Sequence, residues 1–231
     1  MTRLFLILLA TTTTAACGVN ELPQYRADIQ TVRVQTIMTQ DAELSIADPA
    51  YVDDPSLESP ADAANRVTEN YIIGGLFERV ATHVQPASMA LAFEDVFADD
   101  LARGTAWHIA NPDTLGWDAR VVAQVDGVTI EVDTLGRADI HFRMKATVIF
   151  EANGKLIYEQ WSAHRVPLTF PNYRPSVSSY GGDIDGLAAD RAYNLLVLND
   201  IGGRELSHLV ESAAHDAAAV LAAEMVRDSL R

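Results

Sequence analysis

Strict alternation of apolar and polar side chains over Arg137–Phe150 is the feature that most constrains the fold of this 231-residue chain. Apolar residues recur at every second position from Ile140, and polar ones stand between them. A period of two places the apolar side chains on one face of a β-strand and the polar ones on the other. Asn153-Gly154 follows, a pair typical of tight hairpin turns. The sequence therefore predicts an antiparallel hairpin with one covered and one open face.

The register of this hairpin raises one difficulty at Glu159. A two-residue turn would pair Ala152 with Lys155 and therefore Val148 with Glu159, so the carboxylate would face the core. Either a bulge shifts the register or Glu159 lies at the rim of the sheet. In neither case do we interpret Glu159 as a catalytic acid.

The rest of the chain alternates between strand and helix patterns. We predict strands over 28–38 and 117–132, an acidic loop over 40–60, and helices over 60–84, 89–103, 187–198 and 205–231. The apolar phase changes at Asp126-Gly127, which is either a hairpin or a bulge; we favour the bulge. The fold class expected is α+β, an antiparallel sheet of about four strands with helices packed on one face, behind an N-terminal signal peptide and tether.

The first residues have the layout of a secretory signal. Arg3 precedes a short apolar run that is below the roughly 20 residues needed to span a bilayer. Thr14-Ala15-Ala16-Cys17 then resembles the lipobox of bacterial lipoproteins, with Thr14 in place of the usual leucine-like residue. Cys17 is the only cysteine and cannot form an internal disulfide. We predict lipidation at Cys17; the alternative is a free thiol after ordinary cleavage.

These features predict the domain organisation: a lipoprotein signal peptide at 1–16, a lipidated tether at 17–27 and a single periplasmic α+β domain at 28–231. An acylated cysteine carries enough hydrocarbon for stable membrane attachment. By the sorting rule of enteric bacteria, Gly18 after the cysteine implies the outer membrane. The expected location is the periplasmic face of that membrane, with a soluble periplasmic or secreted protein as the alternative.

Charge and motifs exclude several function classes. A formal net charge of −15 disfavours nucleic acid, so we expect the membrane to be contacted through the lipid anchor. No nucleophile or phosphate-binding motif is present. His208 and His215 stand two helical turns apart, about 10.5 Å, too far to share one metal ion. With Glu211 they are interpreted as a solvated helix face, and we expect neither an enzyme, a metal nor a cofactor.

Two features are candidates for binding a partner. His141, Arg143 and Lys145 form a basic stripe on the polar face of the predicted strand, for which ordinary surface polarity is the alternative explanation. The long loop over 166–186 is rich in Pro, Ser and Gly and contains Tyr173 and Tyr180. Long loops without regular structure are often functional.

The order of elements behind a lipobox resembles that of small periplasmic α+β lipoproteins. These include the lipopolysaccharide-assembly lipoprotein, the lipoprotein activators of cell-wall synthases and auxiliary lipoproteins of transporters. The segment 93–158 is also similar in pattern to uncharacterised alphaproteobacterial lipoproteins. The resemblance implies a non-enzymatic lipoprotein that binds an envelope protein in cell-envelope assembly or maintenance. The alternatives are a small-molecule or lipid carrier, and a metal-assisted periplasmic hydrolase.

Overall fold

A computed structural model describes residues 18–39, 44–47, 60–111, 116–133, 135–168 and 184–231. Six strands and five helices occur within these residues, in the order α1 (Leu22–Tyr25), β1 (Thr31–Met38), β2 (Leu44–Ala47), α2 (Pro60–His83), α3 (Pro86–Thr105), β3 (His108–Ile109), β4 (Ala119–Val132), β5 (Ala138–Phe150), β6 (Lys155–Pro167), α4 (Ile184–Asp200) and α5 (Gly203–Ser229). The α+β class is confirmed. The described part of the chain contains no helix both long and apolar enough to cross a membrane.

The sheet is mixed and has six strands within the described residues, so the antiparallel sheet of about four strands that we predicted is found only in the part formed by β4, β5 and β6. Its order is β3-β1-β4-β5-β6, and β2 lies beside the second half of β4. β1 pairs in parallel with β3 and with β4, and β2 pairs in parallel with β4. The pairs β4–β5 and β5–β6 are antiparallel. The physical reason is the connection: helices α2 and α3 follow β1 and β2, and a helical crossover returns the chain in the same direction.

The bulge predicted at Asp126-Gly127 is confirmed. β4 is one continuous strand, and its register against β5 shifts between Val125 and Gly127. Val125 pairs with Met144 and Val128 with Phe142, so the apolar residues on both sides of the shift face the same way. The extra residue explains why the apolar phase of the sequence changes without a turn.

A second bulge resolves the register problem at Glu159. Phe150 pairs with Lys155 across a four-residue turn, and the register then shifts so that Val148 pairs with Tyr158. The predicted pairing of Val148 with Glu159 is therefore wrong, and the bulge alternative is right. Glu159 pairs with Thr147 on the open face of the sheet, and Tyr158 takes the core position.

The helices cover one face of the sheet. Side chains at alternate positions of β5 are buried, among them Ile140, Phe142 and Met144. α5 lies over β5 and β6, and α3 lies beside it over β1. Helix α2 continues through Gly74-Gly75, and Gly74 is exposed with no neighbouring atom where a side chain would begin. Gly74 is therefore not required by close packing of the helix on the sheet.

The segment 18–27 differs from the expected tether. Asn20 forms a β-bridge with Tyr158 at the edge of β6, and α1 follows directly. Leu22 of α1 is completely buried in the core. The sequence shows no periodicity here because only Leu22 and Tyr25 pack on the core, and two contacts within one helical turn produce no pattern.

Candidate functional site

The open face of the sheet is the candidate functional surface, because no described element covers it. It is formed by the side chains of β1, β4, β5 and β6 that point away from the helices. His141, Arg143 and Lys145 all lie on this face, at alternate positions of β5. Rigid paired strands hold their Cα atoms in a fixed row, as a binding surface requires.

Acidic neighbours neutralise much of the predicted basic stripe. Nε2 of His141 lies 3.0 Å from a carboxylate oxygen of Glu131 on β4, although the two groups are not aligned as a hydrogen bond. Nζ of Lys145 lies 3.7 Å from Glu159 on β6. Arg143 is exposed and forms no ion pair within the described residues. The stripe is therefore a set of charges largely paired with carboxylates, rather than a continuous basic surface.

Arg165 extends this charge pattern across the hairpin. It stands opposite His141, and its guanidinium donates to the carboxylate of Asp139 at 2.5 and 2.9 Å. The adjacent residue His164 pairs with Phe142 and so faces the helix side. Exposed ion pairs of this kind contribute little stability, about 0–1 kcal/mol each. They matter here because they hold the long side chains in fixed positions.

Apolar side chains are exposed between these charges. Trp161 on β6 is 42% exposed, Ile37 on β1 is 39% exposed, and Leu156 is 36% exposed. Nζ of Lys145 lies 5.0 Å from the centre of the Trp161 ring, a cation–π distance. The mixture of a half-exposed aromatic ring, aliphatic side chains and cations is typical of interaction surfaces.

Sequence reasoning missed Trp161. With the register expected from a two-residue turn, Trp161 would pair with Ala146 and so face the core. The bulge before Tyr158 moves it to the open face, where it pairs with Lys145. The apolar run Leu156-Ile157-Tyr158 was a usable signal, because three consecutive apolar residues break the alternation of a strand.

Tyr158 is a structural residue of the same hairpin. Its side chain is almost completely buried, and its hydroxyl donates a hydrogen bond to the Asp228 carboxylate at 3.2 Å. Burial, followed by the negative charge of Asp228, raises the pKa of the Tyr158 phenol well above its usual value. The phenol therefore stays protonated and joins β6 to the C-terminal helix.

An open groove of about 750 Å³ lies beside α1. It is lined by Pro23, Arg26 and Ile29 on one side and by Thr105 and Trp107 on the other. The indole Nε1 of Trp107 is buried and has no hydrogen-bond partner among the described residues. The groove is open to solvent, whereas a carrier of apolar ligands needs an enclosed cavity between helices and sheet.

The candidate metal ligands of the last helix remain apart. Nδ1 of His208 lies 3.6 Å from Glu211, and the His208 side chain is 74% exposed. Within the described residues, no three His, Cys, Asp or Glu side chains are grouped so that they could hold a metal ion. His208 and Glu211 form an ordinary pair one helical turn apart.

Three of the predicted functional residues lie outside the described residues: Cys17, Tyr173 and Tyr180. The same holds for the predicted signal peptide at 1–16. Lipidation and the role of the tyrosine-containing loop therefore stay predictions.

No protein-family model matches the sequence, and no curated protein is similar to it. Among solved structures, a Xanthomonas campestris protein of the DUF330 family is 9% identical with a TM-score of 0.38, covering 87% of this chain and 85% of that one. A PelC dodecamer from Paraburkholderia phytofirmans is 11% identical with a TM-score of 0.29, covering 74% and 86%. Likenesses at this level carry no argument about family or activity.

Proposed function

We propose that this protein is an outer-membrane lipoprotein facing the periplasm, which binds a protein partner in cell-envelope assembly or maintenance and catalyses no reaction. The observation that carries the proposal is the open face of the sheet, where Trp161, Ile37 and Leu156 are exposed between paired charges. A half-exposed tryptophan among charged and aliphatic side chains has the composition that is enriched at protein–protein interfaces. The lipobox-like sequence that ends at Cys17 supports the location.

The partner test uses photo-cross-linking in intact cells. A benzophenone amino acid replaces Arg143 on the open face, and in a matched control it replaces Asp95, an exposed residue of α3. We expect one envelope protein to be captured from position 143 and not from position 95. A charge-retaining Arg143→Lys variant should leave the function intact. Equal capture from both positions, or none from position 143, would exclude the open face as the binding surface.

The location test is fractionation of cells that carry Cys17→Ala. Lipidation predicts that the wild-type protein is found in the outer-membrane fraction and that the variant is released into the soluble periplasm. Continued membrane association of the variant would count against the lipid anchor.

The small-molecule carrier is the alternative function, and the groove beside Trp107 is the place where a ligand would bind, although this groove is open rather than the enclosed cavity of an apolar-ligand carrier. Trp107→Phe removes the unpartnered indole N–H while keeping an aromatic ring in the core. If the groove binds a ligand through this group, a compound co-purified with the wild-type protein should be missing from the variant. An identical small-molecule content in both proteins would remove this alternative.

A further inference from the structure

The N-terminal segment leaves almost no free chain between Cys17 and the folded domain. The carbonyl of Val19 accepts a hydrogen bond from the Glu159 N–H at 2.8 Å, and the Glu21 N–H donates to the Ile157 carbonyl at 2.8 Å. Cys17 immediately precedes Gly18 in the sequence. A lipid on Cys17, as the proposed function requires, would therefore be held against the domain.

Gly18 itself fits closely against β6. A side chain at this position would collide with the backbone carbonyl oxygen of Glu159, and it would also approach the Gln160 amide group. The chain at Gly18 is thus in contact with the strand and has no room to move away from it as a free linker would. This contact defines the side of the domain from which the lipid would leave.

Trp161 lies on the same edge, two residues beyond Glu159. Two residues of an extended strand span about 7 Å. Because Glu159 directs its N–H outward to Val19, the alternation of a strand also directs the N–H and C=O groups of Trp161, Ala163 and Arg165 outward. Along this stretch no described element pairs with β6 from outside. The unpaired backbone N–H and C=O groups of such an edge need water or another polar surface as hydrogen-bond partners.

The charges around this edge are balanced. Glu21 forms an ion pair with Lys155, and Glu159 lies 3.7 Å from Lys145. Asp228 lies 3.6 Å from Arg231. No carboxylate of these pairs is left to repel an anionic headgroup surface.

The opposite edge of the sheet is acidic. Helix α3 lies over β1, where a carboxylate oxygen of Glu94 accepts a hydrogen bond from the Thr36 backbone N–H at 2.8 Å. α3 contains four carboxylates, at Glu94, Asp95, Asp99 and Asp100, against one arginine, Arg103. In a chain of net charge −15, this edge would be repelled most strongly from anionic lipid.

We propose that the β6 edge around Trp161 rests on the lipid headgroups of the membrane that holds the acylated Cys17, and that the short connection through Gly18 sets this orientation. The indole of Trp161 suits the boundary between headgroups and hydrocarbon, because it combines an apolar ring with one N–H donor. The Lys145 ammonium beside it offsets the charge of Glu159 near this edge. The sheet then stands with β6 towards the bilayer and α3 away from it, and the rest of its open face, around Ile37 and Arg143, stays accessible to a membrane-associated protein.

The test is cross-linking to lipid in a defined membrane. The full chain is produced in a Gram-negative host that acylates lipoproteins, purified, and reconstituted into vesicles of phosphatidylethanolamine and phosphatidylglycerol. A benzophenone amino acid replaces Trp161, and in the matched control it replaces Phe77 of α2, which is 53% exposed. Thermal unfolding confirms that both labelled proteins fold. We expect several-fold more lipid adduct from position 161 than from position 77.

A third protein tests the role of the short connection. A Gly/Ser spacer of about 20 residues between Cys17 and Gly18 has a root-mean-square span of about 25 Å, and it leaves the docked segment unchanged. We expect the adduct from position 161 to fall towards the level of position 77. A spacer variant that retains the full yield would overturn the claim that the connection sets the orientation.

Mass spectrometry of the N-terminal peptide separates the two proposals. A chain without acyl groups on Cys17 would overturn the proposed location, and this inference with it. An acylated, membrane-bound chain that yields no more lipid adduct from position 161 than from position 77 would overturn this inference alone.

Discussion

Leu22→Ala is the substitution that most directly tests whether the N-terminal segment is docked. The Leu22 side chain is completely buried, and it is the anchor of a segment joined to β6 by the two backbone hydrogen bonds of Val19 and Glu21. Truncating a buried leucine to alanine costs about 2–5 kcal/mol. A net backbone hydrogen bond contributes only about 1 kcal/mol, so the two bonds cannot replace what the side chain contributes.

The expected result is local opening of the segment. If the loss falls on the docked segment alone, its opened population rises about 30- to 4,000-fold, because each 1.4 kcal/mol is a factor of ten. Residue-resolved hydrogen exchange measures this at the amides of Glu21 and Glu159, the two donors that join the segment to β6. Both should exchange faster by that factor.

Two controls make the result specific. Leu156→Ala removes a side chain that is 36% exposed on the same strand and should change the exchange of these amides little. The Ala110 N–H, which donates to Val32 at the far edge of the sheet, should keep its protection in Leu22→Ala. If Leu22→Ala leaves the exchange at Glu159 unchanged, the segment is a free tether, and the argument for an edge held at the membrane fails.

Three further predictions test the rest of the fold. Glu94→Ala removes the carboxylate that accepts a hydrogen bond from the Thr36 N–H at the edge of β1. Thermal unfolding should show that the free energy of unfolding falls by about 1.5–3 kcal/mol. An unchanged midpoint would mean that water replaces this hydrogen bond. Gly136 and Gly154 both have positive φ, +73° and +66°, but a Cβ would collide with neighbouring atoms at Gly136 and would meet open space at Gly154. Gly136→Ala should therefore lower the melting temperature more than Gly154→Ala. Equal losses would contradict this reasoning. Because the pKa of Tyr158 is raised in the folded state, the stability that the protonated phenol contributes is complete below its unfolded-state pKa near 10 and is lost as the pH rises above 10. Denaturant titration at increasing pH should show this loss of stability in the wild type and a smaller loss in Tyr158→Phe. Parallel stability curves for the two proteins would refute the argument.

Local sequence patterns were sufficient for the regular elements near the centre of the chain. The alternation over β5 and the change of apolar phase in β4 both reflect the period of two that a half-covered strand imposes on its own residues. The long C-terminal helix is found at Gly203–Ser229 where its apolar stripe predicts it. These features depend only on neighbours within one strand or helix, so they can be read without knowing what packs against them.

The candidate site was less accessible to sequence reasoning. His141, Arg143 and Lys145 were placed on the open face by their alternation alone. Their carboxylate partners are on other strands, as Glu131 and Glu159 show, and only the register of the sheet brings them within ion-pair distance. The basic stripe expected from β5 by itself is for that reason largely neutralised.

What the sequence by itself determined is therefore the local structure: the period of the long strands and helices, the change of apolar phase in β4, and the strongly acidic balance of the chain. The short strand β2, which lies within the loop predicted over 40–60, was missed. Only the tertiary structure decided that β1 runs parallel to β4, that Trp161 faces outward, and that Leu22 closes the core from a segment without any periodic signal. The physical reason is common to all three. Each depends on contacts between residues far apart in the chain, and the free energy of such contacts leaves no repeating pattern in the residues that make them.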